Sequence, residues 1–173
     1  MIKGENEFMT DVLFYQNYTY VADISAIVLC IICWLLLHSS YTVREKSLII
    51  FKAGTVCLMM ATVCSISFHT AITRITESRK ILIYVLQDGI YLLLILTFVL
   101  LCNYFGTLLK LEERPARLLG AVSWGGYAVF AFLEIGSPFT HLGFYIDADL
   151  MVHQNFYFDP FRFAYIYYCI VLV

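Results

Sequence analysis

The sequence predicts an all-α fold, a polytopic membrane helix bundle, on three observations. Of 173 residues, 61% are hydrophobic and 14% charged, where an ordinary soluble domain holds about 45–50% apolar and about 25% charged residues. The excess is gathered into five blocks, the pattern of spanning segments rather than of a soluble core. Four of the blocks are also long enough, since a hydrocarbon core of about 30 Å takes about 20 residues at about 1.5 Å each. Lipid offers the backbone no hydrogen-bond partners, so each crossing segment must be helical.

Residues 1–19 read as an extracytoplasmic tail. They carry Glu5, Glu7 and Asp11 against Lys3 and lack the basic start and apolar core of a cleavable signal peptide. Asn17-Tyr18-Thr19 matches a glycosylation acceptor close to the membrane. Residues 20–173 form the membrane domain, with spans at about 20–37, 48–68, 81–104, 118–135 and 161–173. The first four are 18, 21, 24 and 18 residues long. The fifth, FRFAYIYYCIVLV, has 13 residues and no stop signal. It is expected to be incomplete, the chain being the front part of a longer membrane protein.

The connections are short except the fourth. Pro115 fits the first turn of the fourth helix. Residues 136–160 hold Pro138, Gly143, three Asp and six aromatic residues, a composition that predicts local structure lying on the interface. Lys and Arg in loops set orientation. Arg44, Lys46, Lys52, Lys110, Arg114 and Arg117 fall on one side, and Lys3, Arg74, Arg79, Lys80 and Arg162 on the other. The fourth connection has neither residue type and the tail is acidic, so both suit translocation. The chain is therefore expected in the cell membrane, multi-pass, with its N-terminus outside and its first and third connections inside.

A net charge of -2 and the lack of a long basic run give no sign of a nucleic-acid partner, and none is expected. The six cysteines, Cys30, Cys33, Cys57, Cys64, Cys102 and Cys169, all lie in apolar blocks, where they read as small buried hydrophobes rather than a disulfide framework. No P-loop, dinucleotide fingerprint or serine nucleophile motif is present, so no catalytic residue and no cofactor is assigned. His69, His141 and His153 match no zinc spacing, so no metal is assigned. Tyr165, Tyr167 and Tyr168 read as an interfacial aromatic belt, and Gly120, Gly125 and Gly126 as points of close helix contact.

Ionisable residues within spans are rare because their burial costs about 2.5–3.5 kcal/mol each at mid-helix. Asp23, His69, Asp88, Glu134 and Arg162 all fall in the outer third of the expected topology. Asp88 is the sharpest of them. Tyr84, Gln87, Asp88 and Tyr91 follow one another at i, i+3, i+4 and i+7, one face of a helix, and a polar face on a spanning helix points into the bundle. That face reads as a ligand pocket open to the outside, as a structural ion pair of Asp88 with Arg162 or His69, or as an Asp that reaches water at the helix end.

Three stretches carry a resemblance: DVLFYQNYTYVADISAIVLC from Asp11 to Cys30, QDGIYLLLILTFVLLCNYFGTLL from Gln87 to Leu109, and GFYIDADLMVHQNFYFDPFRFAYIYY from Gly143 to Tyr168. Together they resemble the N-terminal membrane region of bacterial signalling proteins that carry a cytoplasmic GGDEF or EAL domain. The resemblance implies a sensor and anchor controlling cyclic di-GMP synthesis or hydrolysis in a domain beyond these residues. The implied partners are the lipid bilayer, an extracytoplasmic ligand, and a second copy joined through that output domain. The implied mechanism is population shift: the ligand favours one helix arrangement. Two other classes remain open, a transporter or channel subunit and a fragment of an intramembrane metal hydrolase in which His69 and Asp88 serve as ligand or acid.

Overall fold

A computed structural model describes residues 20–36, 46–73, 75–141, 144–147, 150, 152–154 and 160–172. Five helices follow in chain order: α1 (Tyr20–Leu36), α2 (Lys46–Ile72), α3 (Glu77–Leu108), α4 (Glu113–Thr140) and α5 (Pro160–Leu172). The expected all-α bundle is the observed one. Among the described residues α2, α3 and α4 are long and apolar enough to cross a membrane, while α1 and α5 are shorter apolar helices. Their outward faces are apolar. Ile81, Phe132 and Phe139 are each more than three-quarters exposed, as lipid-facing side chains are. The tail, with its glycosylation acceptor, lies outside the described residues.

The helices overrun their apolar blocks. At 32 residues, α3 is about 48 Å long, well beyond the thickness of a hydrocarbon core of about 30 Å. Pro115 lies in the first turn of α4 as expected. At the other end α4 continues through Gly136 and Pro138 to Thr140, where the sequence placed its stop at 135. Proline lacks an N–H and leaves the Glu134 carbonyl without its i→i−4 donor. Membrane helices tolerate this where neighbouring groups supply replacements. His141, with φ 55°, ends the helix in the left-handed region.

Helices α2 and α3 pack antiparallel along their length. A Cβ on Gly54 would stand 3.8 Å from Leu100 Cβ, one on Gly89 would stand 3.9 Å from Cys64 Sγ, and the Phe51 and Tyr104 rings lie 5.4 Å apart. Helix α5 runs parallel to α3 and lodges against α3 and α4 through a buried stripe of Pro160, Ala164 and Tyr168. Two near-parallel ring stacks fix it: Tyr91 on Phe161 at 4.9 Å and 11°, and Phe98 on Tyr168 at 5.9 Å and 14°. Tyr168 is fully buried among Ile95, Val99, Cys102 and Ala164.

That burial corrects the aromatic-belt expectation. Tyr168 donates to the Ser123 carbonyl and Tyr167 to the Val122 carbonyl, both at 2.8 Å, and the Tyr167 ring presses against Gly126. Only Tyr165 stays exposed, meeting Phe98 edge-on. The reason is that α5 packs into the bundle, with Tyr167 in the space Gly126 leaves empty and Tyr168 against Ile95, Val99 and Cys102 of α3. Of the three expected contact glycines, Gly126 makes a close approach, Gly120 an ordinary one with Asn103, and Gly125 none. All six cysteines are free thiols, and Cys30 and Cys102 are buried in apolar surroundings.

The structure expected between α4 and α5 is a two-stranded antiparallel hairpin, β1 (Phe144–Ile146) with β2 (Val152–Gln154), in which Tyr145 faces His153 across the ladder. An isolated hairpin is marginal in water. This one is held by burying Phe144 and Ile146 against Phe68, Ala71 and Ile83 of α2 and α3.

Candidate functional site

The site is the hairpin-capped end of the bundle. Three elements are tied to the cap by side chains. Tyr84 Oη of α3 accepts the Ile146 N–H at 2.8 Å. Ser137 of α4 donates to the Phe144 carbonyl at 3.3 Å. Lys80 of α3 donates to the Asp147 carbonyl at 3.3 Å. The Phe144 ring meets Phe68 of α2 and Tyr84 edge-on, at 5.7 and 5.8 Å. One short strand thus touches α2, α3 and α4 together.

Beneath the cap lie the polar residues of the helices. Glu134 is 1% exposed, Ser137 2% and Gln87 6%. The face read from the sequence does turn inward: Tyr84 reaches the hairpin, Gln87 is buried, and Tyr91 stacks on Phe161 of α5. Asp88 is only half-buried, and no hydrogen bond or ion pair joins it to Arg162 or His69 among the described residues. Arg162 and Glu134 each engage other groups.

The remaining two predicted residues form a second cluster at the same end, between α1 and α2. His69 meets Tyr20 and Phe68 edge-on at 5.8 and 5.7 Å, and Asp23 lies close enough to act on it electrostatically. Tyr20 Oη and Thr70 Oγ1 share a hydrogen bond of 3.3 Å. Asp23 Oδ2 is shielded from solvent without a hydrogen-bond partner. Phe68, touching both His69 and Phe144, joins the two clusters. Asp23 and His69 thus stand near the hairpin-capped end, while Tyr91 lies close to the middle of α3.

Sequence reasoning missed Ser137, Lys80 and Phe144, and it ranked Asp88 above the far more deeply buried Glu134. The aromatic and acidic composition of the fourth connection was the available signal. His141 packs edge-on against Tyr145 at 4.6 Å. Among the described residues no group of three or more His, Cys, Asp or Glu is placed to hold a metal ion.

No protein-family model, curated protein or solved structure matches the chain.

Proposed function

We propose that the chain is the membrane-embedded sensor and anchor of a bacterial signalling protein, with its N-terminus outside and the hairpin-capped end facing an extracytoplasmic ligand. The carrying observation is the cap itself. A strand tied to α3 by Tyr84, to α4 by Ser137 and to α2 through Phe144 lies over buried Glu134 and Gln87. A ligand that moved the hairpin would act on three helices at once. The unbroken course of α3 from that end to the other, Glu77–Leu108, supports transmission along the bundle, whereas transporters place broken helices at the midplane. The output in this reading is a cytoplasmic GGDEF or EAL domain of the protein that contains this chain, acting as a dimer and setting cyclic di-GMP levels.

Two measurements test the reading. A reporter fused after Glu113 should be active only in the cytoplasm and one fused after Asp149 only outside; the opposite pattern reverses the orientation. Cells making the whole protein should shift their cyclic di-GMP level, and Tyr84→Phe or Gln87→Leu should alter that shift at equal amounts in the membrane. A cyclic di-GMP level indifferent to the protein removes this output from the reading.

A further inference from the structure

At the opposite end of the bundle, the start of α2, the end of α3 and the start of α4 surround an open cleft of about 760 Å³. Lys46, Lys110 and Arg117 line it together with the Ser47 hydroxyl. Its acid is Glu113, which is paired with Arg117 at 2.9 Å, both side chains standing in solvent at 85% and 80% exposure. Among the described residues, three cations against one carboxylate leave the lining net positive. The first turn of α4, which begins at Glu113, adds the positive end of its helix dipole.

Lys110 holds a costly conformation to be there. Its N–H bonds to the Thr107 carbonyl and the Leu111 N–H to the Gly106 carbonyl, both at 3.3 Å, which is the Schellman pattern of helix termination. The residue at its turning point is normally glycine, yet here it is Lys110 with φ 48°. A left-handed non-glycine residue costs about 1–2 kcal/mol, and such strain gathers where a side chain has a task.

The cleft also has a position and a wall that select the ligand. It opens where three spanning helices end, the level of lipid headgroups. Leu111 and Leu119 form its apolar side, and Leu109 and Leu118, close to them in the chain, are 68% and 66% exposed. A soluble anion has no use for that apolar wall, but a phospholipid offers a phosphate for the cations and acyl chains for the leucines. Basic pockets between membrane helices hold anionic headgroups in this way. We infer that the cleft binds an anionic phospholipid, with its phosphate between Lys46, Lys110 and Arg117. This inference is independent of the sensor reading and of the ligand at the other end.

The test uses the detergent-purified protein and native mass spectrometry, comparing retained phosphatidylglycerol with retained phosphatidylcholine. Phosphatidylglycerol should be held on the order of tenfold more tightly, each Lys or Arg contributing about 1 kcal/mol near an anionic surface. The double variant Lys110→Gln with Arg117→Gln should lose the preference with helix content unchanged. Lys110→Gly separates binding from folding, because it relieves the left-handed strain and removes the charge: it should melt higher and bind phosphatidylglycerol less. Inorganic phosphate and glycerol 3-phosphate at millimolar concentration should leave the bound lipid in place. Equal retention of the two lipids, a preference intact in the double variant, or full displacement by free phosphate overturns the assignment.

Discussion

Tyr84 and Ile146, 62 positions apart in the chain, are joined by a 2.8 Å hydrogen bond in which the Ile146 amide donates to the tyrosine hydroxyl. It links the first turns of α3 to a strand that has no sheet beyond its own hairpin partner. Tyr84→Phe keeps the ring against Phe144 and removes only the acceptor. The expected loss is about 1 kcal/mol, read as a lower melting temperature in detergent, and the Ile146 amide should exchange with deuterium faster. An unchanged exchange rate at Ile146 shows that the bond does not hold the cap.

Gly126 and Gly125 are adjacent and should behave oppositely. A Cβ at 126 runs into the Tyr167 ring, which cannot easily withdraw because its hydroxyl is bonded to the Val122 carbonyl. Gly126→Ala should therefore destabilise by about 1–3 kcal/mol, as overpacking does. Nothing lies within 4 Å of a Cβ at 125, so Gly125→Ala should be neutral or slightly stabilising through helix propensity. Thermal melts of the two variants check this; equal effects contradict the observed packing of α5.

Glu134 and Asp88 are both acids near the same end, but only Glu134 is fully buried. Disturbing a buried, engaged carboxylate typically costs about 3–5 kcal/mol when one partner is removed. Glu134→Ala should approach that range, whereas Asp88→Asn should stay within about 1 kcal/mol, as substitutions outside such networks do. Chemical denaturation of both variants gives the comparison, and a larger effect at 88 than at 134 reverses the assignment.

His141 ends α4 with φ 55° while its ring packs against Tyr145. Glycine relieves the backbone and loses the ring contact; alanine loses the ring contact alone. His141→Gly should thus be more stable than His141→Ala by about 1 kcal/mol, measured as the difference between their melting temperatures. Equal stabilities mean that the left-handed turn is not the operative feature.

Legibility in the sequence followed the physics of each signal. Spanning blocks are long and uniform, so Leu48 to Phe68 and Ile81 to Tyr104 point to helices whatever packs on them, and α2 and α3 stand there. The inward face of α3 was readable because Tyr84, Gln87 and Tyr91 recur at helical spacing. Depth of burial was not readable. It depends on what covers a residue, and Glu134 is covered by elements that no local pattern announces. The tyrosines of α5 failed for a related reason: whether they meet lipid or protein is decided on other helices, by the gap at Gly126 for Tyr167 and by the apolar face of α3 for Tyr168. The three-residue strands are too short for alternation to declare itself. The basic cleft was present in the sequence only as loop charges that orient the chain, because it takes three helix ends to bring Lys46, Lys110 and Arg117 together.

The two ring stacks between α3 and α5 have a mechanical consequence. Tyr91 and Phe98 are seven residues apart, and so are Phe161 and Tyr168, on helices that run in the same direction. One stack alone is a hinge pin about which α5 swivels; two pins a heptad apart take that freedom away. A turn of α5 about its own axis, or a slide of one residue's rise of about 1.5 Å, pulls both ring pairs out of overlap at once. Along the length they share, α5 is therefore registered to α3 in both rotation and height, and no sliding or turning of one on the other keeps either stack.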